Sequence, residues 1–356
     1  MRIIFTIPHV TIGGAQRVCL NLIRWLNNKN NEVLLLIYRK DETGGFKYDL
    51  TGIDHKYLSE GVITKILDIR KYIKVFRPEL IVSFGVPNCL FDIPATIGLD
   101  VKKIVCERND PAHFAGRMST KVISRLLMKL ANGYVFQTRD AQNFYGGNVA
   151  KHSVVIPNPL LLEREIINTS LPIVREKTIV TTGRLNKQKN HPLLIRAFKT
   201  ISEKFPEYKL IIYGEGQERY NDEKLISDLN LNDRVLLPGP VNDVIGTIRT
   251  ASLFVMSSDF EGMPNSLMEA MSVGIPCIST DCPCGGPKSL IENYKNGILF
   301  TVGNQGELEE AMIRVLSNPD LSIQLSRNAL NINKTHSLDI ICNEWMNFFY
   351  KVTSKF

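Results

Sequence analysis

No apolar run in this 356-residue chain approaches the roughly 20 residues needed to cross a bilayer; Val33 to Tyr38 and Leu210 to Tyr213 have the length of buried strands. Only Arg2 and a brief apolar strand stand before Pro8, without the longer apolar region and cleavage site of a secretory signal, so a cytoplasmic chain is expected. Cysteine is sparse and odd in number, at seven. Cys282-Pro283-Cys284 has no second cysteine pair or helical histidine pair to complete a metal site, and its spacing is not that of a thioredoxin-like motif. Cys19, Cys106 and Cys277 lie in apolar segments suited to buried free thiols. Gly214-Glu215-Gly216 lacks the third glycine of a dinucleotide fingerprint and is a weak basis for an oxidoreductase. No aromatic-rich basic motif or helix-turn-helix pattern is present and the pI of about 8.9 is below the usual threshold, so no nucleic-acid partner is expected. A hydrophobic content of 44% excludes a largely disordered chain.

What is present is an alternation of short apolar strands with helical stretches. The strands fall near residues 2 to 7, 33 to 38, 80 to 84, 103 to 106, 133 to 136 and 153 to 156, then 178 to 182, 209 to 213, 234 to 237, 252 to 256 and 276 to 279. That order predicts an α/β protein with parallel sheets covered by helices on both faces. The length suggests two domains, and the polar, weakly patterned residues from about 163 to 177 mark the boundary. Charge is unevenly divided. Residues 1 to 151 hold 22 Lys and Arg against 13 Asp and Glu, and the remainder 21 against 23. Much of the excess lies in two segments. In one, Lys65, Arg70, Lys71, Lys74 and Arg77 interleave with apolar residues; in the other, Arg117, Lys121, Arg125 and Lys129 recur every four residues and so share one helical face. Such a helix suits an anionic membrane surface or the pyrophosphate of an acceptor; a solvated basic face over an ordinary core is the plainer alternative.

The most informative stretch runs from Ser257 to Ala270. A buried strand precedes it, Pro264 fits the first turn of a helix, and Gly274 with Pro276 fits its end. Glu261 then stands just before the helix and Glu269 on it. The unpaired amides at a helix start near Asn265 would receive a diphosphate, and the carboxylates, repelled by phosphate, would accept hydrogen bonds from hydroxyls. A surface helix with two solvated carboxylates is the bland reading. Two loops extend the pattern: Gly183-Arg184-Leu185-Asn186-Lys187-Gln188-Lys189, whose Arg184 and Lys189 can both reach one diphosphate, and Gly214-Glu215-Gly216 after another strand. Near the N-terminus, Gly13-Gly14-Ala15-Gln16-Arg17 follows a strand and opens a helix, where glycine lets backbone approach a ligand closely.

In combination these segments resemble the retaining glycosyltransferases of family 4, whose signature is two glutamates separated by seven residues; the resemblance covers nearly the whole chain. It implies the GT-B fold, two Rossmann-like domains facing across a cleft. Residues 1-165 would form an acceptor-binding domain and 166-356 a nucleotide-sugar donor-binding domain, with the last helix, about 338-356, crossing back onto the first. The implied reaction moves a sugar from a nucleotide donor to a hydroxyl with retention. No Asp-x-Asp metal clamp occurs in the sequence, so no metal or other cofactor is expected, and Arg184, Lys189 and the helix start would compensate the leaving diphosphate. Glu261, with the backbone of Gly262 and Met263, would hold the donor sugar and Glu269 the ribose. Gly13, Gly14, Gly183, Gly214, Gly216, Pro264, Asn265 and Ser266 complete the expected donor site.

One position departs from many relatives. After Cys106 the chain reads Glu107-Arg108-Asn109 where a histidine often stands near the reactive face of the sugar. Arginine cannot act as a base, but it can clamp an acceptor phosphate or the donor; an ordinary turn begun by Asp110-Pro111 is the alternative. Similarity to bacterial enzymes that extend polyprenyl-diphosphate-linked glycans implies a UDP-linked hexose or N-acetylhexosamine as donor, with a GDP-sugar not excluded, and a lipid-linked glycan acceptor at the inner face of the plasma membrane. Another nucleotide-sugar GT-B enzyme, an epimerase or a phosphorylase, is the rival reading.

Overall fold

The computed structural model describes residues 1–11, 13–40, 47–113, 117–160 and 175–354. The boundary expected at 165/166, and most of the polar stretch from 163 to 177, lie outside them. The chain divides into two compact units, Met1–Pro159 with Leu338–Phe356, and Leu160–Ser337.

The first unit contains strands β1 (Arg2–Ile7), β2 (Glu32–Ile37), β3 (Asp54–Tyr57), β4 (Leu80–Phe84), β5 (Lys102–Cys106), β6 (Gly133–Phe136) and β7 (Ser153–Val155), paired in parallel in the order β3-β2-β1-β4-β5-β6-β7. Its helices are α1 (Gly14–Asn28), α2 (Val62–Phe76), α3 (Cys89–Thr96), α4 (Met118–Met128), α5 (Arg139–Tyr145) and α6 (Gly147–Lys151). Side chains alternate across a strand, so β1 serves two cores. Ile3, Phe5 and Ile7 pack with Leu22 and Leu26 of α1, whereas Ile4 packs on the other face with Leu34, Leu36, Ile69 and Ile73.

The second unit holds β8 (Glu176–Thr182), β9 (Lys209–Tyr213), β10 (Val235–Gly239), β11 (Ala251–Met256), β12 (Cys277–Thr280) and β13 (Ile298–Phe300), parallel in the order β10-β9-β8-β11-β12-β13. Helices α7 (His191–Lys204), α8 (Arg219–Asp228), α9 (Val244–Ile248), α10 (Asn265–Ser272), α11 (Gly286–Leu290), α12 (Gln305–Ser317), α13 (Pro319–Ala329) and α14 (Ile332–Thr335) accompany them. Buried apolar residues again fall on both faces of the central strand, Ile179 in one cluster and Val180 in another.

The final helix, α15 (Leu338–Thr353), belongs to the first unit. Ile341, Cys342, Trp345, Phe348, Phe349 and Val352 recur at helical spacing and are buried. Trp345 stacks on Phe84 with ring centroids 6.1 Å apart, Phe349 meets Phe5 edge-on at 6.3 Å, and Trp25 donates its indole N–H to Asp339 at 2.7 Å. Gly133 is needed beneath it, since a Cβ there would lie 2.9 Å from atoms of both Phe348 and Val352.

Two strands escape the sequence pattern. β3, Asp-His-Lys-Tyr, is a polar edge strand with no buried residue, and β13 has three residues, too few to show a period. Pro264 is the N-cap of α10, one place before the first turn. On α4 the apolar residues beside the basic row do not enter the core: only Ser124 and Met128 are buried, while Met118, Val122, Ile123 and Leu126, with Leu130 beyond the helix, are about half exposed or more.

Candidate active site

In the second unit β9, β8, β11 and β12 are neighbours, so the loops leaving their carboxyl ends share one rim, where α/β sheets bind ligands. The chain runs from β8 through Gly183 and Arg184 into a 3-10 turn, Lys187–Lys189, capped by the Asn186 side chain, and Asn190 then caps α7 by accepting from Leu193 N. Four hydrogen bonds tie this turn to the loop after β11. Asp259 N donates to Gln188 O at 2.8 Å, Gln188 Nε2 to Phe260 O at 2.9 Å, Asn190 Nδ2 to Asp259 Oδ1 at 2.7 Å, and Ser257 Oγ to Lys189 O at 2.9 Å. Their joint effect is to fix the backbone on which Lys189 and Glu261 stand. Lys189 Nζ lies 2.6 Å from Glu261 Oε1, and Ser258 Oγ donates to the same oxygen at 2.8 Å. Both members of the pair are largely withdrawn from water, with side-chain exposures of 16% and 10%.

The loop after β12 holds Glu261 from the other side. Glu261 N donates to Pro283 O at 2.8 Å and Cys284 N returns a bond to Glu261 O at 3.1 Å. Close packing continues at Gly286, where a Cβ would stand 1.6 Å from Gly262 O. Gly214 is under the same constraint, its Cβ position being 1.8 Å from Gly183 O. Gly216 follows in the same turn and donates to its neighbour Glu215 at 3.1 Å. Gly262, Met263 and Pro264 are buried, Asn265 and Ser266 half-buried at the start of α10, and no side chain caps that helix. Glu269 is 6% exposed and Glu261 7%, which removes the reading of two solvated carboxylates. Arg184 is exposed.

Beside this cluster, His191 and Asp222 face one another with Nδ1 and Oδ2 3.8 Å apart, both buried. Burial, with Lys189 nearby, pushes the imidazole down to about 3; burial, with Glu218 and Glu223, lifts the carboxyl to about 6. All seven cysteines are buried and outside any disulfide, and among the described residues no group of three or more His, Cys, Asp or Glu is arranged to hold a metal ion.

The first unit carries the remaining candidates at the carboxyl ends of its own strands. Gly13 is half-buried and extended, and Gly14 is the exposed first residue of α1. After β5, Glu107 is buried and accepts from Tyr145 OH at 2.7 Å, Arg108 N at 3.0 Å and Asn109 N at 3.3 Å. Burial raises its pKa against the lowering effect of those bonds. The Arg108 guanidinium lies over the Phe84 ring at 4.6 Å and donates to Asn158. Its Nε and Nη1 are buried without a hydrogen-bond partner, and burial draws its pKa down to about 10. Asn109 is exposed. The pattern reading missed Ser258, Asp259 and Tyr145, polar residues whose role is visible only through their partners. Asn190 was legible as an N-cap before His191-Pro192.

The sequence profile described as Glycosyl transferases group 1 matches residues 163–332. An N-acetylgalactosamine-N,N'-diacetylbacillosaminyl-diphospho-undecaprenol 4-alpha-N-acetylgalactosaminyltransferase of Campylobacter jejuni is 32% identical over 334 residues, covering 87% of this chain and 88% of its own. The chain belongs to the group 1 glycosyltransferases. It is thus a retaining hexosyltransferase of family 4 with the GT-B fold. A UDP-Gal:alpha-D-GlcNAc-diphosphoundecaprenol alpha-1,3-galactosyltransferase of Escherichia coli is 33% identical over 190 residues, about half of each chain. Among solved structures, Anabaena HepE in complex with UDP superposes with a TM-score of 0.83 at 18% identity, over 99% of this chain and all of its own. Sucrose-phosphate synthase from Thermosynechococcus elongatus reaches 0.85 at 16%, over 99% of both chains.

Proposed function

We propose that this glycosyltransferase moves a hexose or N-acetylhexosamine from a UDP-sugar to a hydroxyl of a lipid-linked glycan. The observation that carries the reading is the buried Lys189–Glu261 pair, fixed at the strand ends beside the uncapped start of α10. An ammonium has three donors; Glu261 takes one, and the others are directed to the diphosphate. Arg184 and the amides at the start of α10 add to this, so charge that develops on the leaving group meets donors already in place. Lys189 and Ser258 both bond Oε1 of Glu261, and Oε2 is assigned to a hydroxyl of the donor sugar, with Gly262 and Met263 supplying backbone N–H groups. Glu269 takes the ribose. Gly183, Gly214 and Gly216 shape the loops around the nucleotide, and Gly13 and Gly14 are assigned to donor binding as well.

The chemistry is substitution at the anomeric carbon. The bond from that carbon to the diphosphate oxygen breaks, the acceptor oxygen bonds on the same face, and the acceptor proton passes to the departing phosphate, so no protein base is required. Glu107, Arg108 and Asn109 are assigned to the acceptor side. The names of the relatives support a UDP donor and an undecaprenol-linked acceptor. The half-exposed apolar residues of α4 beside Lys121 and Arg125 support peripheral contact with an anionic membrane at the inner face of the plasma membrane; among the described residues no helix is long and apolar enough to span it. A panel of labelled nucleotide sugars incubated with lipid extract tests the reading. UDP-sugars are expected to yield labelled lipid in the wild type and not in Glu261→Ala or Lys189→Ala; transfer from GDP-sugars alone would displace the donor assignment.

A further inference from the structure

The loop after β5 is held at both ends, and part of the hold comes from α4. At its start Glu107 is buried with both carboxylate oxygens engaged: Oε1 accepts from Arg108 N and Asn109 N, and Oε2 accepts from Tyr145 OH at 2.7 Å. At its far end Asp110 is buried, accepts from Ala112 N at 2.9 Å and lies 2.7 Å from His113 Nδ1. Two side chains one turn apart on α4 complete the arrangement. Arg125 Nη2 donates to Pro111 O at 2.6 Å, and Lys121 Nζ donates to Ala112 O at 3.2 Å. The same guanidinium lies over the rings of Phe144 and Tyr145, 4.9 and 5.9 Å from their centroids, and Tyr145 stacks on Phe136 of β6 at 5.3 Å. Arg125 thus bonds the loop directly and also packs on the residue that anchors Glu107. Burial raises the Glu107 carboxyl, while the Tyr145 hydroxyl, the two amides and the Arg125 charge oppose that rise, favouring the ionised form that accepts from all three donors.

We infer that Arg125 and Tyr145 are positioning residues for the acceptor, acting through the loop from Glu107 to Ala112. Glu107 is engaged by its three donors and the Arg108 guanidinium is packed on Phe84, so the side chain that this loop presents outward is that of the exposed Asn109. A charge-assisted bond to the carbonyl of the buried Pro111, with two ring contacts behind it, fixes that residue more narrowly than the turn begun by Asp110 alone. The inference rests on the assignment of residues 107–109 to the acceptor side, and loop mobility measured without substrate separates the two.

The test compares wild type, Arg125→Gln, Tyr145→Phe, the double variant, and Lys151→Gln, which removes the same charge from an exposed position on α6. Tyr145→Phe keeps the ring under Arg125 and deletes one hydroxyl, so it serves where the charge change unfolds the unit. Hydrogen–deuterium exchange is followed at the amides of Arg108, Asn109 and Ala112, beside transfer from a labelled UDP-sugar at varied concentrations of lipid extract. Each single change loses one bond to a charged group, and should speed loop exchange and raise the apparent KM for acceptor by about tenfold or more. The donor KM should stay within about twofold of wild type. The double variant should lose less than the product of the single effects, because both act on one loop. That pattern, absent from Lys151→Gln, supports the role. Unchanged loop exchange in Arg125→Gln and Tyr145→Phe overturns it, as does a joint rise of both KM values with a lowered melting temperature. Faster exchange with an unchanged acceptor KM would remove residues 107–109 from the acceptor site, and the positioning role with them.

Discussion

Removing Lys189 separates two roles of one side chain. In Lys189→Ala the Glu261 carboxylate, 7% exposed, keeps the Ser258 hydroxyl and loses its cation at 2.6 Å. Taking one partner from a fully buried pair costs about 3–5 kcal/mol; with side chains still 16% and 10% exposed, the lower end, about 3 kcal/mol, is expected. That is a large part of the roughly 5–15 kcal/mol that holds a domain folded. On the proposed reading the variant also loses a donor assigned to the leaving group, about 2.7–4 kcal/mol of barrier or a hundred- to thousand-fold in kcat. Glu261→Gln in the same chain separates the effects, because an amide needs no cation. The double variant is expected to recover 1–2 kcal/mol of stability relative to Lys189→Ala and none of the turnover. Chemical denaturation of the second unit and single-turnover transfer from the donor measure the two quantities. Strictly additive stability changes would show that the pair is not coupled, and turnover within threefold of wild type in Lys189→Ala would remove lysine from the diphosphate.

Gly286→Ala places a methyl 1.6 Å from Gly262 O, so the loop carrying Glu261 and Met263 must shift; transfer should fall at least tenfold with the far-ultraviolet spectrum unchanged. Asp92, fully buried among the hydroxyls of Thr6, Ser83 and Tyr38, is pushed up to about 6 by burial against the lowering effect of those hydroxyls. A carboxyl raised on folding binds more protons folded than unfolded, so its contribution is present at low pH and fades as pH rises from about 4 through about 6, by about 3 kcal/mol. The wild-type advantage over Asp92→Asn should shrink across that window in thermal melts; parallel profiles would exclude the titration. Val122→Ser/Leu126→Ser on α4 removes exposed apolar surface, and sedimentation with anionic vesicles should drop several-fold while melting is unchanged within about 0.5 kcal/mol.

The strands were legible where both faces are buried, because β1, β4 and β11 read as apolar runs broken by one hydroxyl residue each, Thr6, Ser83 and Ser252, the pattern of a parallel sheet covered on both faces. Edge strands were not, since β3 is polar and solvated and β13 is only three residues long. Within the candidate site the helix start and the glycine turns could be placed from local chemistry, whereas the two glutamates were set apart from solvated carboxylates only by the family resemblance. The Lys189–Glu261 contact joins residues 72 apart in sequence, and no local pattern encodes it. Arg108 shows the same limit: its loop position is evident, whereas the packing of its guanidinium on Phe84 depends on β4 and β5 being neighbours. The apolar residues of α4 have a helical period whether or not anything covers them, and their exposure emerges only once the neighbouring helices are in place.

The uneven charge distribution separates two kinds of attraction that salt can tell apart. Residues 1 to 151 carry an excess of nine positive charges, whereas the remainder, which contains the proposed diphosphate contacts, has two more acids than bases. A net negative half cannot draw a nucleotide diphosphate by its overall field; Lys189, Arg184 and the amides of α10 must act at contact distance. Screening falls hardest on exposed charges more than about 8–10 Å apart and least on partly buried contacts. Raising salt from about 0.05 M to 0.3 M should therefore weaken vesicle association by an order of magnitude while the KM for donor, measured with a soluble acceptor, moves less than threefold. Equal sensitivity of both would mean that the donor is held by a diffuse field, and the site at the end of β11 would have to be relocated.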